Sequence, residues 1–177
     1  MDFIKNGKLL KFDDLHHTLF DISVEFMENY IYNSSQKKLI LDNLQNLYVY
    51  IINFDEKYKN IIDKDSYKML KKHNNYIIGF ILVENKIIDN TVQYINYIDT
   101  RIKKNNLANY MIELYEKQHN IILIPYDVLE TASRYWKKYF EKKYNISTLD
   151  ELDKFKQNLK IKDQLHWNFL IDLYELK

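Results

Sequence analysis

Apolar positions recur along the chain with two spacings, and the spacing at each point predicts the element there. After Asp13-Asp14, which can cap a helix, Leu15, Leu19, Ile22, Phe26 and Tyr30 advance by threes and fours along one helical face. Asn33-Ser34-Ser35 ends that helix. A second stripe, Ile40, Leu44, Leu47, Ile51, Phe54, Tyr58 and Ile61, is spaced for another helix with a break near Asn53 to Asp55. Two consecutive helices are therefore expected before the first internal strand. Phe3 to Phe12, with Asn6-Gly7 as a turn, is a candidate initial strand.

The pattern then changes to short apolar runs. Tyr67 to Lys71 and Tyr76 to Val83 flank His73-Asn74-Asn75, where the Asn pair tolerates the positive φ of a tight turn, and this predicts a hairpin. Its second arm is apolar on both faces and reads as an internal strand. Val92 to Ile98 is a further strand, and Asp99 to Lys104 leads into a helix with Leu107, Met111 and Leu114 on one face. Ile121 to Ile124 is a short buried strand closed by Pro125. Strand, helix, strand at this spacing predicts a parallel pair joined by a right-handed crossover. Val128 to Lys143 is helical, Ser147 or Thr148 caps a short helix through Leu159, and His166 to Leu173 alternates as a terminal strand. No repeat or Gly/Ser-rich linker interrupts the chain, so residues 1–177 read as one domain. The expected class is α/β (α+β), a mixed and mostly antiparallel sheet with one parallel strand pair and about four or five flanking helices.

Composition narrows the classes of function. A chain of 177 residues, 46% hydrophobic and 29% charged, needs no disulfide or metal to fold. With 26 basic against 25 acidic side chains there is no overall field to attract nucleic acid or an anionic membrane. The absence of Cys excludes disulfides, thiolate metal sites and a Cys nucleophile, and fits a reducing compartment. No apolar run approaches the roughly 18 residues of a spanning helix, and Met1 to Lys8 lacks a leader's apolar core. A soluble, cytoplasmic protein is expected. Sixteen Tyr beside 2 Gly and 1 Pro is a skew that an A+T-rich coding genome produces, so single Tyr or Lys residues carry little chemical weight. His16-His17 offers no i, i+4 ligand pair, and no metal site is expected.

The stretch Ile98-Asp99-Thr100-Arg101-Ile102-Lys103-Lys104-Asn105-Asn106-Leu107-Ala108-Asn109 resembles the acyl-coenzyme A motif of the GNAT acetyltransferase superfamily, R/Q-x-x-G-x-G/A. Lys103 takes the Arg/Gln position, Asn106 the first Gly and Ala108 the final small residue. Two flanking segments strengthen the likeness: Ile77-Ile78-Gly79-Phe80 resembles the family's upstream apolar-Gly-Phe strand, and Ala132 to Phe140 resembles its late helix, A-x-x-F-Y/W-x-K-x-G-F, without the Gly. The motif's physical content is a loop and helix N-terminus whose N–H groups and positive dipole end receive a pyrophosphate. Asn105 or Asn106 can replace Gly because Asn tolerates a left-handed backbone.

The resemblance implies acetyl-coenzyme A as cosubstrate and direct acetyl transfer to an amine, on a small molecule or a protein. It places the cofactor against Tyr97, Ile98, Asp99, Lys103, Lys104, Asn105, Asn106, Leu107, Ala108 and Asn109, with Trp136 from the late helix. It also implies that the strands on either side of the motif splay, leaving unpaired main chain at Tyr97 and Ile98 and at Ile122 to Ile124 for the pantetheine arm. Members often carry a Glu on the strand before the motif as base; here Thr91 to Ile98 offers only Gln93 and Asn96. Members often place a Tyr near the thiol, where Trp136 falls in this chain, so the candidate acids are Tyr135 first and Tyr139 second. Without those groups the alternative is a catalytically degenerate GNAT-fold binding or structural module.

Overall fold

The protein is described from a computed structural model, which covers residues 6–15, 34–88, 91–100, 106–126, 130–159 and Tyr174. Five strands, β1 (Lys8–Lys11), β2 (Leu47–Asn53), β3 (Asn75–Ile88), β4 (Val92–Thr100) and β5 (Ile122–Pro125), form one sheet in the order β1-β2-β3-β4-β5. β1 with β2 and β2 with β3 are antiparallel, whereas β4 and β5 are parallel. Five α-helices lie among the described residues: α1 (Ser34–Leu41), α2 (Lys64–His73), α3 (Leu107–His119), α4 (Glu130–Tyr144) and α5 (Leu149–Asn158). The class is thus the mixed α/β arrangement that the sequence predicts. None of the helices in the described residues is long and apolar enough to cross a membrane.

Two expectations are corrected. The stripe from Ile40 to Ile61 is not one helix: α1 stops at Leu41, a 3-10 turn spans Leu44–Asn46, and Leu47–Asn53 is strand β2. An unbroken run such as Leu47-Tyr48-Val49-Tyr50-Ile51-Ile52 satisfies steps of four as readily as steps of two, and its β-branched and aromatic content decides for the strand. Tyr67 to Lys71 is not a hairpin arm but part of α2, which begins after Asp63, whose carbonyl accepts the Tyr67 N–H at 2.9 Å. The positive φ predicted at the Asn pair is real; at Asn74, φ is 61°, and there it ends a helix. The helix expected through Leu15 to Tyr30 and the strand at His166 to Leu173 lie outside the described residues.

The chain divides into two compact units, Met1–Val83 with Tyr97–Gln118 and Glu84–Asn96 with His119–Lys177. In the first, β2 and β3 are buried on both faces. Leu47, Val49 and Ile51 join Ile77, Phe80 and Leu82 in a core completed by Phe12 and Ile40. Tyr48 and Tyr50 point the other way, towards α3, where they meet Tyr115 and Tyr110 edge to face at 4.6 and 5.9 Å. A bulge holds the two strands in phase: Tyr50 pairs with Gly79 but Ile51 with Ile77, so Ile78 is the extra residue.

In the second unit, Val92 to Ile95 pair with Ile122 to Pro125 residue by residue, and the Tyr126 N–H donates to the Ile95 carbonyl at 3.0 Å. α4 and α5 share an aromatic cluster in which Phe140 and Tyr144 face Phe155 at 6.3 and 4.7 Å. The predicted Thr148 cap is present as a reciprocal capping box with Glu151. The Glu151 carboxylate accepts the Ser147 and Thr148 N–H groups at 2.7 and 3.1 Å, and these bonds, that from Ser147 first, hold its pKa below the usual carboxylate range. A carboxyl depressed by folding stabilises above its unfolded pKa and loses that contribution as pH falls through its folded pKa. Acidification through the carboxylate range is therefore expected to fray the start of α5, and Glu151→Gln to flatten that dependence, as read by amide exchange at Glu151 across a pH series.

Asn74, Asn106, Asn120 and Asn145 all carry positive φ, between 54° and 61°. Three of them directly follow α2, α3 and α4, where Gly is the usual residue. In a chain with 2 Gly, Asn supplies the left-handed backbone because its short polar side chain is the least strained of the alternatives. Asn145→Val is expected to lose about 1–2 kcal/mol and Asn145→Gly essentially nothing, as measured by urea unfolding.

Candidate functional site

The predicted cofactor residues fall on the end of β4 and the start of α3, both in the first unit. Tyr97 is half-buried and stacks on Phe80, with ring centroids 5.5 Å apart and planes 15° apart. Burial, and then the nearby Asp99 carboxylate, raise its phenol above the ordinary tyrosine range. Tyr97 is therefore neutral and a weaker acid than a free tyrosine, a packing side chain whose main chain continues the strand. Ile98 and Asp99 are also half-buried, and Asp99 Oδ1 accepts the Thr100 N–H at 2.8 Å. Lys103, Lys104 and Asn105 lie outside the described residues.

Asn106 is exposed with φ 54°, and its carbonyl accepts the Tyr110 N–H at 3.0 Å, the first bond of α3. It therefore holds the N-cap position. Leu107, Ala108 and Asn109 form the first turn, where main-chain N–H groups and the positive end of the helix dipole coincide. Leu107 is buried and fixes the turn, while Ala108 and Asn109 are half-buried. The strand end and α3 meet at Gly79. A Cβ there would lie 2.7 Å from Met111 Sδ and 3.1 Å from the Asp99 carbonyl oxygen. The apolar-Gly-Phe signal thus has a physical content: α3 comes so close to β3 that a Cβ would displace the Met111 side chain, and the β4 main chain is in tight contact beside it.

The remaining predicted residues are in the second unit, on α4. Trp136 and Tyr139 are buried and Tyr135 is half-buried. Their rings form one cluster: Tyr135 meets Trp136 edge to face at 5.1 Å, Trp136 meets Tyr139 edge to face at 5.6 Å, and Tyr135 stacks on Tyr139 at 6.3 Å. Lys143 Nζ donates to Tyr139 Oη at 2.7 Å and also lies 5.1 and 5.2 Å from the ring centroids of Tyr139 and Tyr144. The signal for this contact in the sequence is the i, i+4 spacing of Tyr139 and Lys143.

Two further observations bear on chemistry. Gln93 is buried, and its Nε2 donates to the Glu84 carbonyl, so this polar side chain ties β4 to β3. The expectation of unpaired main chain at Ile122 to Ile124 is corrected: these residues face Val92 to Tyr94 in the parallel ladder. The pairing runs from the Ile122 N–H, which donates to the Thr91 carbonyl at 2.7 Å, to the Tyr126 N–H on the Ile95 carbonyl, just past Pro125. No protein-family model matches the chain, and no curated protein matches it.

Proposed function

We propose that the chain is an acyl-coenzyme A-binding protein of the N-acetyltransferase type, resembling the GNAT superfamily, which cradles acetyl-coenzyme A on the main chain of Tyr97 to Ala108 and passes acetyl directly to an amine. The observation that carries this reading is Asn106, left-handed at the N-cap of α3 at the position where the motif requires glycine. A pyrophosphate at that turn would be held by main-chain N–H groups and the helix dipole, which a skewed side-chain composition leaves intact. In the transfer, the amine nitrogen attacks the thioester carbonyl, the C–S bond breaks, and the thiolate takes a proton. Aligning the two reactants supplies much of the rate even without a dedicated base. The Cys-free composition and near-zero net charge fit a soluble protein of the cytoplasm.

Calorimetry with acetyl-coenzyme A is the test. Saturable binding is expected, retained in Asn106→Gly and weakened about tenfold in Asn106→Val, because a β-branched residue resists the left-handed backbone by about 1–2 kcal/mol. No binding by the folded wild type would sink the reading. A second reading, a module that binds the cofactor without turnover, is favoured by Gln93, which occupies the strand usually carrying the base and is engaged with Glu84. Binding with no thiol release across a broad panel of amines would select it.

A further inference from the structure

We propose that Asn6-Gly7 is a latent succinimide-forming site, held shut in the folded protein by the hydrogen bond from the Gly7 main-chain N–H to Tyr50 Oη. An asparagine followed by glycine is the dipeptide most open to this chemistry, because no side chain shields the glycine nitrogen. In the reaction that nitrogen loses its proton to solvent base and bonds to Asn6 Cγ. The Cγ–Nδ2 bond breaks and ammonia leaves. Water then opens the ring at either carbonyl, giving aspartate or isoaspartate, with no oxidant or reductant required.

Three features of the fold oppose the first step. The Gly7 N–H donates to Tyr50 Oη at 3.0 Å, which stabilises the protonated amide. The Gly7 Cα lies so close to β2 that a Cβ would lie 2.5 Å from Tyr50 Cζ and 2.6 Å from the Ile51 carbonyl oxygen, and this close packing opposes the rotation of the main chain that ring closure on Asn6 Cγ requires. Tyr50 itself is fully buried, and burial raises its phenol far above the ordinary range, so its oxygen accepts a hydrogen bond without serving as a base. Asn6, by contrast, is exposed, and water reaches its amide.

The lock belongs to the first strand pair, which begins at Lys8 opposite Ile51, one residue after Gly7. Peeling β1 from β2 frees the Gly7 nitrogen, and conversion to isoaspartate then adds a methylene to the main chain and a negative charge. Such a backbone no longer fits between Tyr50 and the Ile51 carbonyl. The site therefore makes detachment of β1 irreversible.

The test is peptide mapping of the full chain during incubation at mildly alkaline pH, following mass gain and isoaspartate at Asn6. Folded wild type is expected to convert at least about tenfold more slowly than the same chain in urea, since only the locally opened fraction reacts. Folded Tyr50→Phe should recover much of that rate. Equal rates in folded and urea-unfolded wild type, or a folded Tyr50→Phe as slow as wild type, would overturn the proposal. Should Tyr50→Phe fail to fold, hydrogen exchange of the Gly7 amide in wild type decides: protection is expected, and exchange at the rate of an exposed amide refutes the lock.

Discussion

Valine in place of Gly79 is expected to cost at least about 3 kcal/mol and to abolish cooperative unfolding at moderate temperature, whereas alanine is expected to cost about 1–3 kcal/mol. Two effects compete at this position. Gly79 does not have positive φ, so a side chain would narrow the unfolded ensemble and favour folding by about 0.4–1 kcal/mol. Against that, a Cβ would meet Met111 Sδ at 2.7 Å, on a side chain with no exposure to move into, and the Asp99 carbonyl oxygen at 3.1 Å, which is main chain. The steric term wins for Ala and dominates for Val. Met111→Ala alone should cost about 2–5 kcal/mol, but Gly79→Ala combined with Met111→Ala should cost less than the sum, because the cavity accepts the new methyl. Urea midpoints for the four proteins complete the cycle; strict additivity would place the clash elsewhere. The same contact connects stability to the proposed cradle, since α3 and the end of β4 are the elements that an added side chain pushes away.

How far the sequence carries can be judged at particular residues. Where the physical cause is local, it was legible. The Thr148 cap needs only Thr and a Glu three residues later, and both bonds are present. Asn106 and Asn74 were read as tolerant of positive φ and have it, although Asn74 ends a helix and not a hairpin arm. Where the cause is tertiary, the reading failed or was silent. Leu47 to Ile52 is apolar on both faces because β1 and β3 flank it and α3 and Ile40 cover it, and that environment is absent from any window of the sequence. Tyr67 to Lys71 offered too few apolar residues for its period to separate helix from strand, and the cap at Asp63 was the better signal. At the site, the turn ahead of α3 was legible because backbone conformation follows residue type there. The engagement of Gln93 with the Glu84 carbonyl was not, because it needs the β3–β4 register.

Truncating Phe140 to alanine is expected to remove about 3–5 kcal/mol, and the contrast with Tyr139→Phe separates packing from chemistry on the same helix. Phe140 has no exposed surface and stands at the centre of the second unit's aromatic cluster, 6.4 Å from Trp136, 5.7 Å from Tyr144 and 6.3 Å from Phe155, ring centroid to ring centroid. With Tyr144 it connects α4 to Phe155 of α5, and its loss leaves a cavity lined by rings too large to collapse into it. Limited proteolysis should then cut between the two helices, near Ser147, before the rest of the unit opens. Tyr139→Phe keeps the ring and removes the hydroxyl that accepts from the Lys143 ammonium, at a cost of about 0.5–1.5 kcal/mol. If Tyr139 served the proposed transfer as proton donor, that mild variant would lose turnover out of proportion to its stability, with its affinity for acetyl-coenzyme A unchanged. If it serves packing alone, turnover and stability should fall together, and Tyr135→Phe, which keeps the half-buried ring of the other candidate acid, becomes the variant in which turnover must drop. Neither variant losing turnover in an active protein would leave both tyrosines as structural rings and move the proton source to solvent.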